Sequence, residues 1–189
     1  MKLSDKIWIT RKVRIIAEQR LLKWSMISQV FMIFFSLIMV FCSIWNFTQQ
    51  NTYSDSVLLC GSIAILAISI FLTSQRFSER ALAMRNCYIR LDELYTYTLN
   101  IEESKDSKSM QEVIKRYNDI LLNVENHSEY DYLNLRFSLR KQKNTTLPEF
   151  TKLDYCDFLL ETFIRIISII FLFLVPLVLP LILILSYNH

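Results

Sequence analysis

The chain has a single glycine in 189 residues, and that scarcity removes several chemistries at once. Glycine-rich phosphate loops and the G-x-S-x-G nucleophile elbow each need at least two glycines, because the backbone must turn sharply or approach a ligand closely. Cysteines number four and prolines three. Cys42, Cys60, Cys87 and Cys156 form no C-x-x-C or Cys/His pattern, so neither a zinc site nor a disulfide framework is expected. Free thiols of this kind fit a reducing cytosol. The two histidines, His127 and His189, lie far apart. The acidic residues of 74–162 are scattered among basic ones at helical spacing, as in Glu112/Arg116, which is the pattern of a solvated face. No catalytic residue, cofactor or metal site is expected, and the chain does not read as an enzyme.

Charge is also missing from long stretches. No Lys, Arg, Asp or Glu occurs from Trp24 to Ser54, from Ser56 to Gln75, or from Ile166 onward, windows of 31, 20 and 24 residues. About 20 apolar residues in a helix cross a hydrocarbon core of about 30 Å, so each window is long enough to span. The start does not read as a secretory signal peptide. Its charged region is too long, its apolar run exceeds a normal h-region, and no A-x-A-like site follows, so the segment is expected to stay on the protein.

What is present is basic charge, unevenly placed. Residues 1–25 carry Lys2, Lys6, Arg11, Lys12, Arg14, Arg20 and Lys23 against Asp5 and Glu18, and 74–162 carries 13 basic residues. The loop "TQQNTYSDS" and the tail "SYNH" have none. The positive-inside rule then predicts that the N-terminus and 74–162 are cytoplasmic and the C-terminus extracytoplasmic. The expected architecture is an all-α membrane protein. It comprises a basic amphipathic helix over 1–24, a transmembrane hairpin over 25–74, a cytoplasmic helical region over 75–162 and a C-terminal transmembrane segment over 163–189. The basic helix is expected at the inner face, where anionic headgroups attract Lys and Arg, and Trp24 and Trp45 bracket the first span like interfacial anchors. On a helical wheel Arg11, Arg14 and Glu18 share a sector opposite Ile9, Val13, Ile16 and Trp24. That apolar side can rest on lipid or on another helix.

The first span carries a pattern beyond hydrophobicity. Ser25, Gln29, Met32, Ser36, Met39, Ser43, Asn46 and Gln50 follow 4-3-4-3 spacing and fall on one side of a helix, with Phe34, Ile38 and Phe41 elsewhere. A hydroxyl and amide stripe either bonds to neighbouring helices, at about 0.6 kcal/mol per contact, or lines a path exposed when several copies assemble. In the second span Cys60, Ala64 and Ala67, near Gly61 and Ser62, form a small-residue face that permits close helix approach. Pro176 and Pro180 predict a kink in the third.

In the cytoplasmic region the second span is expected to continue as one helix. Phe77, Ala81, Met84, Tyr88, Leu91 and Tyr95 form a short coiled-coil-like seam suited to self-association. "EESKDSKS" reads as a linker, with Ser109 and Glu112 offering a capping box to the next helix. Met110, Val113, Ile114, Tyr117, Leu121 and Val124 are that helix's apolar stripe. "LNLRFSLR" alternates with period two and reads as helix or extended. "DYCDFLLETFIR" reads as a helix feeding the third span, with Pro148 near its start. His127, four residues before Asp131 in "ENHSEYDY", reads as a structural pair or helix cap.

"IWITRKVRIIAEQRL", two spans joined by a short loop, an Arg-rich helix after the second span and "ENHSEYDY" together resemble the SLATT family, the SMODS- and SLOG-associating two-transmembrane effectors of bacterial defence systems. Thr10, Arg11, Arg14, Arg20, Leu21, Asn126 and His127 carry the likeness, which extends over roughly residues 4–135 and lies nearest the subgroup encoded beside reverse transcriptases. The third apolar segment has no counterpart in a two-span description. The resemblance implies an antiviral effector, held silent until a sensor triggers it, that oligomerises and permeabilises the inner membrane. Ser25, Gln29, Ser36, Ser43 and Asn46 are then candidates for lining or packing, and Arg11, Arg14, Arg20, Arg80, Arg90 and His127 for contacts with a partner or another copy. Expected partners are the bilayer, further copies, and a reverse transcriptase or nucleotide-signalling protein; direct nucleic-acid binding is not expected. A membrane adaptor that anchors a cytoplasmic partner is the alternative, and the polar stripe discriminates, since an anchor has no use for one. A constitutive channel or transporter is disfavoured because no charge lies inside the spans.

Overall fold

The computed structural model describes residues 2–49, 52–104, 107–122, 124–140, 147–148 and 150–187. Six helices account for most of them: α1 (Leu3–Gln49), α2 (Thr52–Ser74), α3 (Phe77–Ser104), α4 (Ser107–Leu122), α5 (Glu129–Leu139) and α6 (Lys152–Tyr187). Among the described residues no strand occurs, so the period-two alternation of "LNLRFSLR" lies in helix α5. Three stretches are long and apolar enough to cross a bilayer, within Leu3–Phe47, Asp55–Glu102 and Lys152–Ile182. The chain is an all-α membrane protein.

Two compact units divide it. One takes Met1–Lys23 and Ser78–Glu161; the other takes Trp24–Phe77 and Thr162–His189. Their interiors differ because their sequences do. In the first unit Ile7, Cys87, Leu91, Leu94, Ile101, Val113 and Tyr117 form a buried cluster drawn from α1, α3 and α4. In the second, the spans keep most apolar side chains outward, including Ile33, Phe41, Leu66, Ile70 and Phe171. Burying such residues in water would be favourable, but beside lipid tails no such force acts, so helices here associate through close packing and polar contacts. Phe31 supplies that packing, with Phe35 at 5.9 Å between ring centroids and Phe173 of α6 edge-on at 5.8 Å. Phe34 also meets Phe173, at 5.7 Å, while Phe41 stays exposed.

Several local expectations are revised. The second span does not run on as one helix: α2 ends at Ser74 and α3 begins at Phe77. Between them Arg76 takes φ 48°, in the left-handed region that ends a helix. Ala81, Met84 and Leu91 of the seam are buried inside the chain's own first unit, where Met84 meets Arg14 of α1. α1 of the same chain therefore covers this part of the seam, while Phe77, Tyr88 and Tyr95 are half-buried. α4 begins at Ser107, so Ser109 lies within its first turn, and Glu112 binds Arg116 at 2.5 Å instead of closing a cap. The helix over "DYCDFLLETFIR" does feed the third span as expected: α6 starts at Lys152, four residues beyond Pro148, and runs through Pro176 and Pro180.

Capping boxes do occur, at two other places. Ser128 and Asp131 bond reciprocally at the start of α5, and Thr151 and Asp154 at the start of α6. Each pair satisfies amide donors that a helix start leaves without partners. Arg136 of α5 then grips Asp154 with two bonds of 2.9 and 2.7 Å, and Phe137 stacks on Phe158 at 4.7 Å, tying α5 to the beginning of α6.

Candidate functional site

Two sets of polar residues stand out, one in each unit. In the first unit the charged sector of α1 faces inward. Arg14 is 1% exposed and Glu18 5%, alongside Ile7, Ala17 and Leu21. Of the expected apolar side, Val13 is buried as well, while Ile9, Ile16 and Trp24 are half-buried. The inward turn of the charges has a physical cause: each charge meets a partner from a distant element. Glu18 accepts from Arg85 of α3 at 2.6 Å. Arg11 pairs with Asp92 of α3. Arg20 makes a two-pronged bond, 2.8 and 3.0 Å, to Asp131 of α5, which is 0% exposed. Such fork-to-carboxylate geometry is the strong form of an ion pair.

Arg14 binds differently. It donates to the main-chain carbonyl of Glu125, just after α4, and lies 3.5 Å from the Met84 sulfur. The Glu125 carboxylate is held in turn by Arg80 of α3, at 2.9 Å to each oxygen. Two arginines from two helices thus fasten one loop residue. Beside them His127 is half-buried, its Nδ1 without a hydrogen-bond partner. Burial, and then the Arg14 charge, hold this imidazole below the ordinary histidine range, with Asp131 pulling the other way. Asn126 is exposed.

Of the six residues expected to make contacts, Arg11, Arg14, Arg20, Arg80 and His127 thus lie in this internal network. Arg90 does not. It is exposed and borders a groove of about 480 Å³ with Tyr97, Arg116 and Asp119. The partners Asp92, Glu125 and Asp131 carried no local signal, since each lies 45 or more residues from the arginine it binds. The Ser128-x-x-Asp131 cap was readable in "ENHSEYDY", with Ser128 as the capping residue in place of His127.

In the second unit the polar stripe of α1 is set against its buried face. Phe31, Phe35, Cys42 and Asn46 are buried, whereas Gln29, Ser36 and Ser43 are exposed and Ser25 is half-buried. At 100° per residue the two sets are centred roughly 105° apart. Ser43 bonds back to the Met39 carbonyl at 2.9 Å, and Gln29 reaches Ser25 at 3.5 Å. Asn46 is separated from the rest: it donates to Asp55 at the start of α2 and leaves its own Oδ1 buried without a donor. Gln50 lies outside the described residues. The second span's Gly61 is buried, while Cys60, Ala64 and Ala67 are exposed. Among the described residues no group of three or more His, Cys, Asp or Glu is placed to hold a metal ion.

The sequence pattern of a basic helix, a hairpin and a return through a third apolar helix is matched as a whole by one family model, SMODS and SLOG-associating 2TM effector domain family 5, over residues 1–185. The chain belongs to this family. No curated protein and no solved structure matches it. The SLATT match runs about 50 residues beyond the stretch on which the resemblance rested, and takes in α6 almost to its end. The third apolar helix is thus part of what the family model describes. As a SLATT protein the chain is a membrane effector of conflict systems, in a family of membrane-associated helical domains with no enzymatic fold indicated. The family description names no reverse transcriptase.

Proposed function

We propose that this SLATT protein acts by assembling in the bacterial inner membrane and permeabilising it when triggered, with the polar face of α1 turned towards the path. The observation that carries this reading is the exposure of Gln29, Ser36 and Ser43 on a membrane-spanning helix whose other side is already packed. An amide facing hydrocarbon is costly, so such a face finds water or another polar helix. Within one chain neither α2 nor α6 covers it, and further copies supply the missing neighbour. Charge placement supports an orientation with the N-terminus and residues 74–162 in the cytoplasm and the C-terminus outside.

The test replaces Gln29, Ser36 and Ser43 together by Leu. The variant inserts as well as the parent because the span becomes more apolar, yet dye and ion leakage after triggering falls, since a narrow Leu-lined pore dewets. Phe41→Leu, an exposed position away from the stripe, leaves leakage intact. Membrane level and oligomer size are measured for each. A triple variant that assembles normally and leaks as much as the parent reduces the stripe to packing.

A second reading, a membrane anchor for a cytoplasmic partner such as a reverse transcriptase or a nucleotide-signal sensor, is favoured by the groove beside Arg90. Arg90, Arg116 and Asp119 stand there on the surface, unlike the buried charges of α1. Retained membrane binding of a partner by the leak-deficient triple variant, lost in Arg90→Glu, would support this reading.

A further inference from the structure

α6 carries an apolar repeat that its own chain leaves uncovered. Leu153, Cys156, Leu160, Phe163, Ile167 and Ile170 follow 3-4-3-4-3 spacing along one side of this helix, and all six are exposed. The side used by α5 lies roughly 170° away at 100° per residue. There Arg136 grips Asp154, and Phe158 stacks on Tyr130 at 5.4 Å and on Phe137 at 4.7 Å.

Inside the span lipid accepts any apolar side, so the stretch before Ile166 decides. Leu153 is 78% exposed there, and Leu160 and Phe163 are each 60% exposed. α6 has 36 residues, about 54 Å of helix against a hydrocarbon core of about 30 Å. With the charge-free stretch from Ile166 in the core, Leu153 stands about 20 Å beyond it along the helix. Headgroups add only about 6 Å on each side. Lipid therefore does not reach the start of the stripe.

Charge identifies the occupant. A 3-4 apolar repeat is the seam of a coiled coil, and the g and e positions that flank it pair across parallel helices, each g with the e five residues on in its neighbour. With Leu153 and Leu160 at a, and Cys156 and Phe163 at d, these pairs are Lys152 with Asp157 and Leu159 with Ile164. The first pair is opposite in charge and the second apolar. Lys152 and Asp157 are exposed, and among the described residues neither has an ionic partner. Copies inserted the same way in one membrane hold their α6 helices parallel and level, which is the register this pairing needs. We propose that α6 packs along this seam against α6 of a second copy, with Lys152 of each facing Asp157 of the other. The seam rests on the assembly part of the reading above and not on permeabilisation, so leakage is not its readout.

The purified full chain is reconstituted in vesicles of phosphatidylethanolamine and phosphatidylglycerol and oxidised with copper phenanthroline. A disulfide-linked dimer is expected that survives Cys60→Ala and disappears in Cys156→Ala, because equivalent d positions of parallel helices face each other within disulfide reach. In the Cys156→Ala chain, Leu153→Cys or Leu160→Cys restores the link, whereas Tyr155→Cys, exposed but off the seam, does not. Association is read as energy transfer between labelled copies on lipid dilution. Lys152→Glu weakens it about fivefold, the upper end for an exposed ion pair, and adding Asp157→Lys restores it. Helical circular dichroism and reconstituted yield are checked for every variant. Equal linkage from Leu153→Cys and Tyr155→Cys overturns the seam, and a charge swap that fails to restore association overturns the parallel register. Oligomers trapped by an amine-reactive crosslinker with no linkage through Cys156 would overturn the seam and leave the assembly reading standing. A monomer by both measures overturns both.

Discussion

Asp131 is a residue on which several of the first unit's polar bonds converge. It accepts two bonds from Arg20, caps α5 through Ser128, and has no exposed surface. Asp131→Asn leaves the Arg20 guanidinium without its carboxylate, and breaking a buried pair in this way costs about 3–5 kcal/mol. Glu112→Ala, which removes an exposed i,i+4 pair, costs under about 0.5 kcal/mol. Thermal unfolding of the two variants in the same detergent separates them, and equal midpoints would mean the buried pair contributes no more than a surface one. His127 adds a pH dependence. Its folded imidazole titrates below the ordinary 6.5, so beneath that pH the unfolded chain binds a proton that the folded chain refuses. The stabilisation is complete above about pH 6.5 and is lost as pH falls below it. The unfolding midpoint of the parent should therefore drop more steeply between about pH 7 and 5.5 than that of His127→Gln. Parallel slopes would remove His127 as the source.

At the scale of elements, the break between α2 and α3 depends on a non-glycine residue in the left-handed region. For an L-residue this conformation costs about 1–2 kcal/mol, and a side chain branched at Cβ resists it most. Arg76→Gly is thus expected to keep or slightly raise the unfolding midpoint, and Arg76→Val to lower it by the equivalent of about 1–2 kcal/mol. A midpoint unchanged by Val would show that the turn tolerates an ordinary helical backbone. The seam of α3 has a related lesson. A 4-3-4-3 repeat says that a helix has one face to bury, and α1 of the same chain meets that need at Ala81, Met84 and Leu91 as well as a second copy could.

For the whole molecule, the distribution of Lys and Arg predicts which ends share a compartment. A reporter fused after His189 should read as extracytoplasmic, and one inserted within 104–108 as cytoplasmic. Protease cleavage at Lys105 from outside intact cells would reverse the orientation. The two units give the prediction its physical meaning. One has a core of ordinary buried apolar residues closed by ion pairs, as a water-facing domain does, and the other leaves Ile, Leu and Phe outward, as lipid permits.

The sequence by itself determined the helical class, the three apolar spans and the family, because hydrophobic length and charge distribution are properties of contiguous stretches. It also marked the buried face of α4 at Val113 and Tyr117, although Ile114 of the same stripe is exposed, and it identified Arg11, Arg14 and Arg20 as unusual. Only the tertiary structure decided which way those arginines face. A helical wheel assigns a charged sector to water or headgroups because it sees no partner, whereas Asp92, Glu125 and Asp131 arrive from α3, the loop after α4, and α5. The same holds for the polar stripe. Its spacing was legible in the first span, but that Asn46 would turn inward to Asp55 while Gln29, Ser36 and Ser43 stayed outward depended on where α2 and α6 pack. Pairing between distant residues is set by how helices meet, and no periodicity within one helix contains it.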